Sequence, residues 1–550
     1  MPPLTPSDWM SQGLLDSLKS EQVVTRSLLQ SKAAVHPDRH FAQFEDDACW
    51  TYRDALLQAA RAANVLSELG VSQGTCVGII LPNGPDFLRA WFGAAMLGAV
   101  VLPINPAMRG VMLARPLAIG QPHVIIGDLA ATFAEGLQNF CPAALVEPAA
   151  LRGTDDAIPV LARDIELWDD EKWLMTSGTT GPSKLVRIPY LYAFWGYSTI
   201  LMDQGFSADD VFQIDLPLFH TAAMSYVNAS LASGSAIYVR SRPALDRYWE
   251  VARDARVSAG VLISSMVPTM MGQPPRAAER EHRMRFLVSS PIPPDISAFR
   301  ERFGVPTIVT SLGSTEASTP LRGYAQPGYD PSYCGETVPG FEVRLVDDHD
   351  QEVRRGHAGE AIVRCSRPFV MSPGYVNDLA ATGQAWRNGW FHTGDLLRQD
   401  PDGRFYFVGR TKDVIRRRGE NISAYEVELA IATHPAVAEV VCVPVPSDSG
   451  VEDEVKAFIV LKPASVDAHA DFLEYAHQRL PHYMVPRYYE FVDSIPKTST
   501  GKPQKYVLRD LGNSISTWDS HQHGYMVTRS GIQRRPVKGP ESSPTVAAQK

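Results

Sequence analysis

Short apolar runs alternating with stretches of helical periodicity constrain this chain most. Residues 77–81 form such a run, 85–97 a helix, and 100–104 and 123–127 two further runs. Strand, helix and strand at this spacing predict parallel sheet with helices on both faces, because a parallel pair needs a crossover long enough to cover it. The rhythm resumes at 211–215, 261–264, 285–288 and 307–310. Ahead of it stand a polar leader (1–40), paired short strands at 41–50, and a helix at 51–69 that repeats Leu56, Ala60, Ala63 and Leu66 on one face. From about Gly340 the strands shorten and alternate (341–346, 359–363, 404–408), as in a small twisted barrel or antiparallel sheet. Beyond Arg410, a helix at 424–433, strands at 437–445 and 455–461 and a helix at 471–480 suffice for a compact α+β domain. The expected fold class is α/β. A large N-terminal domain (41–410) carries parallel sheets, flanking helices and the barrel-like β region, and a smaller α+β domain (411–511) follows. The polar residues 512–550, rich in Ser, Gln, Pro and Gly, read as a disordered tail.

A chain of 550 residues is too long for one core, and 45% apolar content is ample for two. The 52 basic and 61 acidic residues give a net charge of -9, which argues against a general nucleic-acid or anionic-membrane surface. Six scattered cysteines without a CxxC pair fit reduced thiols inside the cell, most simply in the cytoplasm. The longest apolar run, 90–102, falls short of the roughly 20 residues that span a bilayer, so no transmembrane segment is expected. No secretory signal opens the sequence, and Ala548, Gln549 and Lys550 make no SKL-type address.

The segment TSGTTGPSK (176–184) gathers Thr176, Ser177, Gly178, Thr179, Thr180, Gly181 and Lys184. Glycines let backbone N–H groups approach an anion, hydroxyls add rotatable donors, and the lysine adds a charge that follows a triphosphate. No GK[ST] closes the run, so it is not a Walker loop. Composition alone leaves a phosphate cradle and a surface loop equally open. Three further segments lie downstream: LGSTEAS (312–318), WFHTGD (390–395) with GRTKDVIRRRGENISAYEVE (409–428), and PKTSTGK (496–502).

In order and spacing these four segments resemble the core motifs of adenylate-forming enzymes, namely acyl-CoA synthetases, adenylation domains and luciferases, over about residues 41–511. The wording is nearest to ligases of the carnitine and crotonobetaine type. The resemblance implies a large domain, a hinge and a small lid. It also implies ATP, Mg²⁺ and CoA as reactants or cofactors, and activation of a carboxylic acid through acyl-AMP. Under it Lys502 bridges the carboxylate and the α-phosphate, Thr315 meets that phosphate, and Glu316 holds Mg²⁺. The competing readings are a loop lysine and a helix-capping pair. Leu312, Gly313 and Ser314 would border adenine, with Leu312 standing where the family usually has an aromatic ring. Asp395 would take both ribose hydroxyls, Arg410 the ribose or phosphates, and Phe407 one face of the base. His220 would border the acyl pocket, with Tyr226, Ser289, Ser290 and Pro291 as weaker wall candidates. Lys412 matches the hinge, Gly419 the thiol tunnel, and Arg416, Arg417 and Arg418 CoA phosphates, against the alternative of a solvated basic face. The loop departs from the commonest family form at Ser183, where proline is frequent but serine fits the carnitine-ligase style, and at Leu185, where glycine is usual and leucine suggests a stiffer loop exit. Two alternatives stay open: transfer to a separate carrier protein, and a nucleotide-binding scaffold that has lost catalysis. The identity of the acid is not legible.

Overall fold

The computed structural model describes residues 12–108, 110–128, 142–176, 184–263, 266–417, 420–447, 453–463, 469–498, 501–528 and 531–534. Its first compact unit is Met1–Thr393 with Leu397–Phe407, and its second is Gly394–Leu396 with Val408–Lys550.

The first unit is built on two sheets. Six strands run in the order Ala144–Val146, Val124–Gly127, Cys76–Ile80, Val100–Pro103, Asp170–Met175 and Leu185–Pro189, all parallel except the last. The second sheet has a parallel heart of Thr307–Ser314, Phe286–Ser290, Ala259–Ile263, Val211–Ile214, Ala236–Val239 and His40–Phe44. Beyond Thr307–Ser314 it continues through antiparallel strands to Phe341–Val346, for 13 strands in all. The shorter strands foreseen from Gly340 are therefore an antiparallel extension of this sheet.

Two of the helices that pack on these sheets are buried nearly all round, the pattern of a helix covered on every side. In Pro85–Met96 every residue from Phe87 onward is buried, and Tyr190–Asp203 is buried except at Tyr197 and Asp203. One apolar cluster joins Val77, Ile79 and Leu174 of the first sheet to Phe212, Ile214 and Val309 of the second through Ala59, Trp91, Tyr192 and Met224. The leader is not separate from this core. Leu28 and Leu29, on the helix Thr25–Val35, enter the same cluster, and Thr25 Oγ1 donates to buried Glu171 at 2.8 Å. Among the described residues, no helix is long and apolar enough to cross a membrane.

The second unit is a four-stranded sheet, Val437–Pro446, Asp453–Leu461, Tyr488–Phe491 and Trp518–Asp519, with helices Ala424–Ala432 and His469–His477 sharing its core. The last strand corrects the expectation of a disordered tail from 512. Asp519 takes Arg487 through two contacts of 2.9 and 3.0 Å. Lys456, whose side chain is fully buried, donates to Glu490, Thr517 Oγ1 and the Gly512 carbonyl. Trp518 stacks on both His469 and His523. Average composition over 512–550 is polar, but a few well-placed partners suffice to order 512–528.

Candidate functional site

Thr315 and Glu316 occupy the turn between Thr307–Ser314 and Ser318–Tyr324, at the carboxyl end of a parallel strand. Ligands of open α/β sheets collect at such ends. Ser314 pairs with Ser318 across the three-residue loop, Ser314 Oγ accepts the Ala317 N–H at 3.1 Å, and Ser318 adopts φ of 61°. That is the three-residue hairpin with a left-handed residue after the turn. Gly313 is required here, since a Cβ would stand 2.0 Å from the Ser318 carbonyl oxygen. The turn is also held from below, where buried Tyr192 donates through its hydroxyl to the carbonyls of Ser314 and Thr315, at 3.1 and 2.9 Å.

The stem of the glycine-rich segment is closed by Thr176 N–H to the Lys184 carbonyl (3.0 Å) and by Lys184 N–H to Thr176 Oγ1 (3.1 Å). Ser177, Gly178, Thr179, Thr180, Gly181 and Ser183 lie outside the described residues. Leu185 is an ordinary strand residue opposite Met175, buried in a cluster with Leu102 and Leu117. It needs no positive φ, so the expected loop-exit stiffening reduces to a strand that starts one residue after Lys184.

Tyr375 connects this stem to the turn. Its segment runs along Leu185–Pro189, with Val376 N–H bonded to the Leu185 carbonyl at 2.8 Å. Its hydroxyl donates to Glu316 Oε1 at 2.9 Å, and its ring lies 5.3 Å below Lys184 Nζ. Burial first, and then the Glu316 carboxylate, push the phenol well above its usual range, so it stays a donor. Lysine, ring and carboxylate thus form one chain between residues far apart in sequence. Nothing in the sequence singles out Tyr375.

His220 caps the helix Thr221–Ser233, its Nδ1 accepting the Ala222 N–H at 3.3 Å, which leaves Nε2 as the N–H of the neutral ring. Asn83 fixes the loop before it, donating to the Leu216 and Arg240 carbonyls and accepting the Leu218 N–H at 2.7 Å. His220, Ser289, Ser290 and the Thr315 turn all follow, or end, parallel strands of one sheet, so they share its carboxyl edge. Ser290 Oγ donates to the Ser311 carbonyl at 2.8 Å. Leu312 and Phe407 enter one apolar cluster around Leu321 and Leu397, a wall with two aliphatic faces and a ring.

In the second unit, Asp395 is 6% exposed and pairs with Arg410 Nε at 2.9 Å. Burial raises its carboxyl, against the pull of Arg410 and then Lys502. Lys502 stands in a tight loop, with its N–H on Thr498 Oγ1 (3.1 Å) and its carbonyl accepting the Thr498 N–H (2.8 Å). Ion pairs flank the loop: Lys497 with Glu439 at 2.9 Å, and Lys505 with Glu428 at 2.8 Å. Lys505 also lies 3.8 Å from Asp413, the neighbour of Lys412. Lys412 falls in the short helical turn Thr411–Asp413.

One assignment is corrected. Arg417 is not available to CoA phosphates, because its guanidinium is buried against the carbonyls of Tyr483 (2.9 Å) and Val485 (2.7 Å) and Glu454 Oε2 (2.6 Å). In the strand Val414–Arg417 it points inward with Ile415, as the two-residue period of a strand requires. The Arg416 side chain, Arg418 and Gly419 lie outside the described residues.

The donor set suits a magnesium nucleotide. In the first unit, Lys184 and the Thr315 hydroxyl match phosphate oxygens, and the Glu316 carboxylate matches Mg²⁺, which commonly takes one or two carboxylates plus phosphate oxygens. Among the described residues no group of three or more His, Cys, Asp or Glu is placed to hold a metal by itself.

The AMP-binding enzyme family matches residues 29–376, and the AMP-binding enzyme C-terminal domain matches 426–502. Crotonobetaine/carnitine–CoA ligases of Escherichia coli and Shigella flexneri are each 30% identical over 491 residues, covering 82% of this chain and 92% of the relative. ATP-bound MatB from Rhodopseudomonas palustris has the same fold, with a TM-score of 0.80 at 23% identity over 89% of this chain and 98% of that one. So does the O-succinylbenzoate coenzyme A synthetase MenE from Bacillus subtilis, in complex with ATP and magnesium ion (TM-score 0.78, 22% identity, 88% and 99% covered).

Proposed function

The chain belongs to the AMP-binding enzyme family, as an AMP-forming enzyme of the acid–CoA ligase kind, and we propose that it carries out both half-reactions of such a ligase on a small carboxylic acid. In the first, a carboxylate oxygen attacks the α-phosphorus of ATP and pyrophosphate leaves. In the second, the CoA sulfur attacks the acyl carbonyl, the thiol proton is lost, and AMP leaves with the electron pair of the broken bond.

The first step brings two anions together, so preorganised cations and donors dominate its energetics. Lys184 and the 176–184 loop would hold the outer phosphates, and Thr315 would donate to the α-phosphate. Glu316, with phosphate oxygens, would hold Mg²⁺, which supplies charge neutralisation when bound. Asp395 would accept the ribose hydroxyls, with Arg410 keeping its carboxylate oriented. Leu312 and Phe407 would flank the base. Lys502 would neutralise the charge that builds between carboxylate and α-phosphate. The observation that carries this reading is the Lys184–Tyr375–Glu316 chain, which ties the phosphate loop to the acidic turn.

Acid-dependent exchange of labelled pyrophosphate into ATP tests it. Exchange with some members of a broad acid panel, followed by thioester formation with free CoA, is the expected result. No exchange with any acid would overturn the proposal, and loading of holo carrier proteins in preference to free CoA would redirect its second half.

A further inference from the structure

Asp395 and Lys502, which the ligase reading sets on one nucleotide, both belong to the second unit although they lie far apart in sequence. Asp395 is framed by its own surroundings. Arg410 Nε pairs with it at 2.9 Å, and Thr411 Oγ1 donates to the Gly394 carbonyl at 3.2 Å, so the segment 410–411 and the segment 394–395 are tied together. Lys502 is carried by a tight loop whose ends meet, with Lys497 opposite Pro503 and Thr498 bonded to Lys502. The place of such a loop is set by what anchors its flanks. Before it, Lys497 pairs with Glu439 at 2.9 Å. After it comes the helix Lys505–Asp510, whose far end is tied down where Lys456 Nζ donates to the Gly512 carbonyl at 2.6 Å.

Lys505, at the near end of that helix, meets two carboxylates from different elements. Glu428, on the helix Ala424–Ala432, stands at 2.8 Å and also accepts the Cys442 N–H at 2.7 Å, which fixes it to the sheet of the unit. Asp413, in the turn Thr411–Asp413, stands at 3.8 Å. The first contact is a charge-assisted hydrogen bond, and the second is an attraction beyond hydrogen-bond range. Burial opposes a charge at Lys505, but Glu428 and then Asp413 outweigh it and raise the ammonium above its ordinary value. Asp413 in turn reaches Asp395, whose carboxyl responds to burial first, then to Arg410 and Lys502, and in the opposite direction to Asp413. One ammonium, three residues beyond Lys502, thus joins the core of the unit to the segment that carries Arg410.

We propose that Lys505 is a positioning residue for acid activation: by bridging Glu428 and Asp413 it sets the place of Lys502 relative to the pair Asp395 and Arg410. The inference rests on the ligase reading above and names a further residue that its first half-reaction needs. A displacement of about 1 Å in a reacting arrangement can cost on the order of a hundredfold in rate, so a tether that shifts this loop by part of that is measurable.

The test uses an acid found active in the exchange panel. Lys505→Met keeps most of the stem and removes the charge. It should lower the kcat of pyrophosphate exchange about tenfold, and leave the KM for ATP and the rate of thioester formation from preformed acyl-AMP within about twofold. Lys505→Arg, which keeps the charge, should recover most of the exchange. Asp413→Asn should lower exchange about threefold, and the double variant with Lys505→Met should be no slower than Lys505→Met alone, because both changes act through one contact. Parent-like exchange in Lys505→Met, equal losses in the two half-reactions, or losses that multiply in the double variant would overturn the inference. Where Lys505→Met fails to fold, Asp413→Asn decides, since it spares the pair with Glu428: slower exchange with unchanged thioester formation supports the bridge, and parent-like exchange overturns it. Absence of exchange in the parent with every acid of the panel would instead overturn the ligase reading itself.

Discussion

In the first unit, Thr315 and Glu316 ride on a hairpin turn fixed by part-buried hydrogen bonds: Tyr192 to the carbonyls of Ser314 and Thr315, the Ala317 N–H to Ser314 Oγ, and Tyr375 to the Glu316 carboxylate. In the second, the loop that carries Lys502 is flanked by two ion pairs whose side chains keep 15% to 33% of their exposure. Several short hydrogen bonds converging on one turn hold one geometry, because losing any of them leaves a polar group unsatisfied away from bulk water. Partly exposed ion pairs of long side chains contribute less and tolerate adjustment. The turn that carries Thr315 and Glu316 is thus held more tightly than the loop that carries Lys502.

The largest test of this contrast is Lys502→Ala. It should lower acid-dependent pyrophosphate exchange by about a thousandfold, in line with the loss of a transition-state cation, and slow thioester formation from preformed acyl-AMP only a few-fold. Equal losses in both assays would erase the division of labour. Next comes Asp519→Ala, which removes the carboxylate that Arg487 meets at 2.9 and 3.0 Å and leaves it the more distant Glu454 at 3.9 Å. It should cost about 3 kcal/mol in the unfolding of the second unit, read by denaturant titration. An unchanged midpoint would return residues 512–528 to the status of a loose tail.

Asp215→Asn probes stability in the opposite sense. Burial pushes the Asp215 carboxyl up to about 7, so the folded chain keeps a proton that the unfolded chain releases above about pH 4. Stability from this group is lost as pH rises through that window and stays lost above it. The asparagine variant should therefore melt higher than the parent at pH 8, by on the order of 2 kcal/mol, and alike near pH 4. A variant that melts lower at pH 8 would contradict burial as the main influence on this carboxyl. The smallest effect is expected for Tyr375→Phe, which keeps the ring under Lys184 and removes the hydroxyl from Glu316. Exchange should fall about tenfold, and Tyr375→Ala should fall further. No difference between the two would show that the ring, not the hydroxyl, couples the loop to the turn.

Much of the architecture was legible because parallel strands buried on both faces read as short apolar runs. The helix at 85–97 and the strands at 100–104 and 211–215 appear within a residue or two of their expected bounds. Thr315 and Glu316 were legible as a motif but not as a turn, since the helix-cap alternative uses the same side chains. Arg417 was misplaced for a reason that the sequence contained. Within an RRR run, a strand sends alternate residues inward, and Ile415 already marked the inner face. Tyr375, Asn83 and Asp215 were not legible, because their significance arises from partners brought near by topology: Tyr375 meets Glu316 across 59 residues, and Asn83 meets Leu218 across 135. The tail was misread because averaging over 39 residues hid one tryptophan and one aspartate with fixed partners.

Val211–Ile214 and Ala259–Ile263 are neighbours in the second sheet but part beyond their first pair. Among the described residues one register pair, Ala259 with Phe212, crosses that gap, so side chains along it can be exchanged without unpicking a sheet. Substitutions confined to Gln213, Asp215, Ala223, Tyr226 and Val261 should therefore alter local packing while leaving the strand ladders on either side intact.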